Sequence, residues 1–263
     1  MPDDGAARRD IWVTTVGAGA PAVAIHCALA KHEALLPLAE ALEGRTTFFD
    51  MPGHGRSGNW DGRTEYQSLI TATAAGLCDG PTHLIGHSFG ATAALRLAVE
   101  RPDLVNRLTL VEPVYFAAAK GSDAHHAHAK AFRPFVGAML SGDESHAAEV
   151  FNNLWGDVVW QNLSLRRQTY LTDRIHLIVA GASAIEEDAQ EITSSARLGA
   201  LNIPVTLIRG ALSHPVIAAI HAVLHARIPR STDHVVDGAG HMVPMTHVDA
   251  VAAIIRVADQ ETG

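Results

Sequence analysis

The residues with the clearest chemical potential are Gly86-His87-Ser88-Phe89-Gly90, a G-x-S-x-G pattern. An apolar pair, Leu84-Ile85, leads into it, and an alanine-rich segment, Ala91 to Glu100, leaves it. Strand, sharp turn, helix is the context in which a serine hydroxyl is lifted clear at the end of a strand as a nucleophile. So sharp a turn puts the serine in a strained backbone conformation and leaves no room for side chains two residues to either side, which accounts for Gly86 and Gly90. Ser88 would also stand at a helix N-terminus, where free N–H groups and the helix dipole favour developing negative charge. The chemistry this suggests is attack of a serine oxygen on an electrophilic carbon. It requires a base, because a serine hydroxyl is a poor nucleophile at neutral pH.

A sheet must position such a serine, and the chain supplies one. Ile11 to Val16, Ala22 to His26, Thr46 to Asp50, Thr82 to Ile85, Arg107 to Val111, Pro204 to Arg209 and Asp233 to Val236 are short apolar or β-branched runs. Between them lie stretches of helical composition: Glu33 to Glu43, Glu65 to Cys78, Ala91 to Glu100, His214 to Arg227 and Val248 to Asp259. Strands alternating with helices imply a mostly parallel sheet covered on both faces. The rhythm breaks between Val114 and Leu198, where no strand is apparent. Tyr115, Phe116, Phe132, Phe135, Phe151, Trp155, Trp160 and Tyr170 lie there among helix-forming stretches. This reads as one α/β domain in two parts, 1–113 and 199–263, with a helical insertion at 114–198. The insertion would cap the carboxyl edge of the sheet, where ligands of such folds bind. Its aromatics would either line the site or pack the insertion's own core.

Bulk properties narrow the function. The 263 residues are 48% hydrophobic and 18% charged, enough for a sizeable core, and the net charge of −8 argues against a nucleic-acid surface. No run approaches the length of a membrane span. Met1 to Asp10 is polar, without the apolar stretch of a secretory signal, so Cys27 and Cys78 are expected as free thiols in a reducing, cytoplasmic setting. Sixteen histidines invite a metal reading, yet no metal-binding spacing is present. His125, His126 and His128 are expected to be solvated.

The Ser88 elbow, the His26 loop, the Asp50-Met51-Pro52-Gly53-His54-Gly55-Arg56-Ser57 loop and Gly238-Ala239-Gly240-His241 together resemble the α/β-hydrolase superfamily over nearly the whole chain. The resemblance implies an α/β-hydrolase fold and the following roles. His241 is the base. Many relatives carry an aspartate three residues after the glycine that ends the sixth strand; Ser213 stands there, and serine cannot carry the charge. Other relatives carry the acid after the preceding strand, which makes Glu112 the acid. Asp237 would only steady the His241 loop, and replacing Ser213 would change little. The oxyanion hole would use the N–H groups of Phe89 and Ala28. Relatives read His-Gly-x where this chain reads His26-Cys27-Ala28, so Cys27 would be strained if its φ were positive. His87 is expected to turn away into packing, and His54 to serve structure.

The implied activity is hydrolysis of a carboxylic ester, lactone or related acyl bond, through an acyl-enzyme and without a metal or organic cofactor. The expected partner is a small, fairly apolar acyl compound, with neither nucleic acid nor membrane. A C–C bond hydrolase or cofactor-free perhydrolase would share these motifs. A ligand-binding module with a decayed triad is the alternative from another class, and contact between Glu112 and His241 would count against it.

Overall fold

All seven runs read as strands pair into one sheet. A computed structural model describes residues 10–260, with side chains through 258; Met1 to Arg9, the bulk of the polar N-terminal stretch, lie outside the described residues. The strands are β1 (Val13–Val16), β2 (Pro21–Ile25), β3 (Arg45–Phe49), β4 (Thr82–His87), β5 (Val105–Val111), β6 (Val205–Gly210) and β7 (Ser231–Val236). Their order is β1-β3-β2-β4-β5-β6-β7. β1 pairs antiparallel with β3, and every other pairing is parallel. The chain winds outward from β2 to β3, then crosses back so that β4 pairs with the free side of β2. This reversal puts the carboxyl ends of β2 and β4 at a topological switch point, the crevice where ligands of open α/β sheets bind.

The pleat divides the strands between two cores. Val23 and Ile25 of β2, Leu84 of β4, Leu108 and Leu110 of β5 and Leu207 of β6 point to one face. They meet α2 (Tyr66–Ala75), α3 (Phe89–Glu100) and α10 (Pro215–Arg227). Ala24, Ile85, Val111 and Ile208 point to the other. They meet α1 (Leu36–Leu42), α11 (Val243–Thr246) and α12 (Val248–Gln260). Strands buried on both faces lose the alternation of polar and apolar residues, which is why they read as continuous apolar runs. One helix starts later than its composition predicts. His32–Ala34 is a 3-10 turn and α1 begins at Leu36, with Pro37 in its first turn, where proline lacks only a hydrogen bond the helix would not make.

Between β5 and β6 the described residues form helices and loops only. These are α4 (Asp123–Ser141), α5 (Glu144–Trp155), α6 (Leu165–Thr172), α7 (His176–Ala180), α8 (Ala182–Glu186) and α9 (Ser195–Gly199). Phe135, Ala138, Ala147, Ala148, Trp160, Leu171 and Ile175 bury one another in a third core, which Leu29 joins from the loop after β2. No described helix is long and apolar enough to cross a membrane.

Candidate active site

Ser88 occupies the turn between β4 and α3 with φ 56° and ψ −118°. L-residues rarely adopt this conformation, and holding it costs about 1–3 kcal/mol. The surroundings explain the flanking glycines. A Cβ on Gly86 would come within 2.4 Å of the Ala91 Cα, and one on Gly90 within 2.3 Å of the Ile25 carbonyl oxygen. Ser88 N–H donates to the Val111 carbonyl at 2.9 Å, tying the turn to the end of β5.

Three side chains from three strand ends converge there. Ser88 Oγ lies 2.9 Å from His241 Nε2, and His241 Nδ1 lies 2.8 Å from Glu112 Oε2. With Nδ1–H donating to the carboxylate, Nε2 is left to accept the serine proton. His241 comes from the loop after β7. That loop can approach β6 because Gly210 has no side chain: a Cβ there would meet the Ala239 carbonyl oxygen at 2.2 Å. Glu112, at the end of β5, is wholly buried and also has a positive φ, 53°. Burial by itself would raise its carboxyl pKa. Hydrogen bonds from His241, Ser213 and the Gly210 N–H, with the charge of His241, hold it below the ordinary value instead.

Ser213 is therefore not the bystander predicted. Its hydroxyl donates to Glu112 Oε1 at 2.6 Å, beside the Gly210 N–H at 2.7 Å. The position where the sequence resemblance leads one to expect a carboxylate holds instead a hydroxyl that donates to the Glu112 carboxylate. Asp237 is exposed and makes no side-chain hydrogen bond or ion pair among the described residues. His87 does more than pack. It is buried, and its Nε2–H donates to the His241 carbonyl at 2.9 Å, so the residue before the serine holds the histidine loop.

The loop after β2 carries the Ala28 N–H. Neither this group nor the Phe89 N–H has a hydrogen-bond acceptor among the described residues. Cys27 does not take the strained conformation; the positive φ falls two residues later, on Leu29, at 59°. Two histidines brace this loop. Leu29 N–H donates to His54 Nε2 at 2.9 Å, and His54 Nδ1–H faces the Pro52 carbonyl at 3.1 Å. Met51 N–H donates to His26 Nε2 at 3.0 Å, and His26 Nδ1–H donates to the Cys27 carbonyl at 2.8 Å. Each ring accepts a backbone N–H, which only a neutral imidazole can do. Burial pushes their pKa values down to about 4 for His26 and about 3 for His54, and that of His87 to about 3. Burial has the opposite effect on the Cys27 thiol, which is pushed up to about 12, so it is no nucleophile at neutral pH.

A cavity of about 420 Å³ opens beside Ser88. Its walls include Phe116, Phe132, Phe135, Phe151 and Trp155 from the helical segment. Trp155 packs its ring 4.8 Å from that of His241. Tyr115, Trp160 and Tyr170 lie outside the cavity walls. Tyr170 hydrogen-bonds the Ala30 carbonyl, and Tyr115 accepts from Gln67. Gly181, between α7 and α8, rests on the elbow itself: a Cβ there would meet the Phe89 ring at 2.5 Å. Cys27 and Cys78 are both free thiols. Of the three clustered histidines, His128 departs from expectation, since it is 2% exposed and stacks on Phe116.

Residues 23–248 match the model of the alpha/beta hydrolase fold family. Lipase LipV of Mycobacterium tuberculosis (strain ATCC 25618 / H37Rv) is 31% identical over 246 residues, covering 87% of this chain and 85% of the lipase. Esterase Rv0045c of the same organism is 28% identical over 221 residues, covering 79% and 72%. In three dimensions the chain is similar to a thermophilic esterase from Thermogutta terrifontis, with a TM-score of 0.71 at 21% identity over 95% of this chain and 93% of that one. At that identity the structural likeness speaks for the fold alone. The family match and the lipase each span most of the chain, and on them the protein is a member of the α/β-hydrolase family.

Proposed function

We propose that the protein is a serine hydrolase of carboxylic esters, with Ser88, His241 and Glu112 as its triad. The observation that carries this reading is the unbroken chain of contacts from Ser88 Oγ through His241 to Glu112, at 2.9 and 2.8 Å. His241 takes the Ser88 proton as the oxygen attacks the acyl carbon. Glu112 fixes the tautomer and stabilises the imidazolium that forms. The Phe89 and Ala28 N–H groups receive the developing oxyanion. His241 then protonates the leaving alkoxide, and in the second half-reaction it activates the water that releases the acid from Ser88. The intact contact between Glu112 and His241 counts against a decayed, binding-only site. The relatives named as a lipase and an esterase agree with an ester substrate.

The helical segment 114–198 acts as a cap in this reading, closing an apolar acyl cavity over the serine. A cavity of about 420 Å³ fits a small acyl compound. The test is labelling with a fluorophosphonate, wild type beside Ser88→Ala, together with turnover of short p-nitrophenyl esters. Labelling that requires Ser88, with ester turnover, is the expected result. Folded wild type that neither labels nor turns over would overturn the proposal.

A further inference from the structure

The walls of the cavity beside Ser88 hold one carboxylate, that of Glu186, and no lysine or arginine among the described residues. Aromatic and aliphatic side chains make up most of the rest. Glu186 ends α8, and its side chain is 36% exposed, so a molecule in the cavity can reach it. The carboxylate accepts no hydrogen bond among the described residues. Its only ion-pair contact there is with His128 Nε2, at 3.9 Å, which is beyond hydrogen-bond reach. Lys130 and Arg133 of α4 are exposed and stand outside the cavity walls.

A carboxylate so placed acts through its charge. The wall offers few dipoles to spread that charge. His54 has backbone partners on both ring nitrogens, and the Tyr66 hydroxyl donates to the Pro52 carbonyl at 2.8 Å. Apolar surroundings screen a charge less than open water does, so its field reaches further into the cavity than it would from a free surface. The rings nearby act in the same direction. Phe116, Phe132 and Trp155 line the cavity, with centroids 4.2, 5.5 and 5.6 Å from that of His128, the ring beside the carboxylate. Aromatic faces carry partial negative charge, which attracts cations and repels anions. The cationic group can stand on either the acid or the alcohol side of the ester bond.

We propose that Glu186 is a charge-selecting subsite of this cavity, favouring esters that bear an ammonium group and discriminating against esters that bear an anion. The proposal rests on the ester-hydrolase reading and narrows its substrate class. The experiment measures kcat/KM at pH 8.0 on wild type and Glu186→Gln for two matched series. On the alcohol side these are the acetates of choline, 3,3-dimethylbutanol and 2-hydroxyethanesulfonate. On the acid side they are the p-nitrophenyl esters of 4-(trimethylammonio)butanoic, 5,5-dimethylhexanoic and 4-sulfobutanoic acid. Each series is repeated with homologues two methylenes longer. The cationic and uncharged members have nearly the same shape, so their ratio reads charge alone. Because the net charge of −8 biases the whole molecule toward cations, the change between wild type and variant is what counts. In Glu186→Gln the cation-to-neutral ratio is expected to fall roughly fivefold in at least one series, the upper range for a partly exposed ion pair, and the anion-to-neutral ratio to rise by a similar factor. A merely structural role would move all three esters in the same direction. Ratios that do not move in opposite directions in any series would overturn the subsite alone. Inertness of folded wild type toward every ester would overturn the ester reading and the subsite with it. If Glu186→Gln does not fold, Glu186→Ser is read by the same ratios.

Discussion

Replacing Glu112 by glutamine tests the proposed triad where it is least conventional. The side chain is nearly isosteric, so the geometry of its surroundings dictates how it sits. The Gly210 N–H and the Ser213 hydroxyl both donate to Oε1, at 2.7 and 2.6 Å, so the glutamine carbonyl must take that position. Its NH₂ group then faces His241 Nδ1, where the carboxylate oxygen lay at 2.8 Å. An amide donor there forces the imidazole proton onto Nε2, which can no longer accept from Ser88. Loss of the tautomer together with the countercharge is expected to lower kcat on the order of 10²- to 10⁴-fold with KM little changed. Ser213→Ala removes one of the three donors to the carboxylate. A hydrogen bond to a charged group contributes about 1.5–3 kcal/mol, and only the part that differs between neutral and protonated His241 reaches the rate, so kcat should fall roughly 3- to 10-fold. Since Ser213 acts through Glu112, the double variant should be no slower than Glu112→Gln alone. The assay is steady-state hydrolysis of a p-nitrophenyl ester at pH 7.5, with a thermal melt of each variant to establish folding. A Glu112→Gln enzyme within about fivefold of wild type would refute the acid assignment, and so would a Ser213→Ala loss as large as that of Glu112→Gln.

Two further predictions concern stability. Ser88→Ala keeps a side chain at φ 56°, whereas Ser88→Gly does not. Relief of about 1–3 kcal/mol of strain, set against the added freedom of an unfolded glycine, about 0.4–1 kcal/mol, leaves Ser88→Gly the more stable by about 1 kcal/mol. That should raise its Tm by about 2 °C over Ser88→Ala in a calorimetric scan, and an equal or lower Tm would contradict the strain. Histidines 26, 54 and 87 have folded pKa values of about 4, 3 and 3, below the unfolded value near 6.5. The fold favours their neutral form, so their contribution is complete above pH 6.5 and is lost as pH falls toward those folded values. Tm should therefore drop from pH 6.5 to 4.5 with proton uptake on unfolding, and His54→Gln should flatten that slope; an unchanged slope would show that His54 is not held neutral.

Much of the fold was legible because buried parallel strands and amphipathic helices carry their signal within single segments. The seven strands and the elbow followed from apolar runs, glycines and their order. Contacts across the sheet are not written locally. Ser213 could be read as a missing acid, but its role as a donor depends on where Glu112, a hundred residues earlier, places its oxygens. Cys27 stands where relatives carry a glycine and would be strained only at a positive φ, which it does not adopt. That conformation falls on Leu29, a residue type disfavoured at positive φ, so composition offers no signal for it. Helix spacing alone predicts a solvated His128, and its burial comes from Phe116 and Trp155, which fold over it from outside its helix. Pro37 is a local signal for the start of α1, since a proline in the first turn marks where the helix begins.

The seat of Gly181 on the Phe89 ring makes position 181 a steric wedge. Any side chain there must lift the joint between α7 and α8 or push aside the ring of Phe89, the residue that follows Ser88. Attempts to broaden substrate scope by adding bulk at this joint would therefore disturb the elbow along with the entrance. The cavity rim offers safer ground. Val136, Leu140 and Val179 line the same cavity and are 47%, 85% and 51% exposed. A combinatorial library confined to those three positions can reshape the doorway and leave the elbow's packing as it stands.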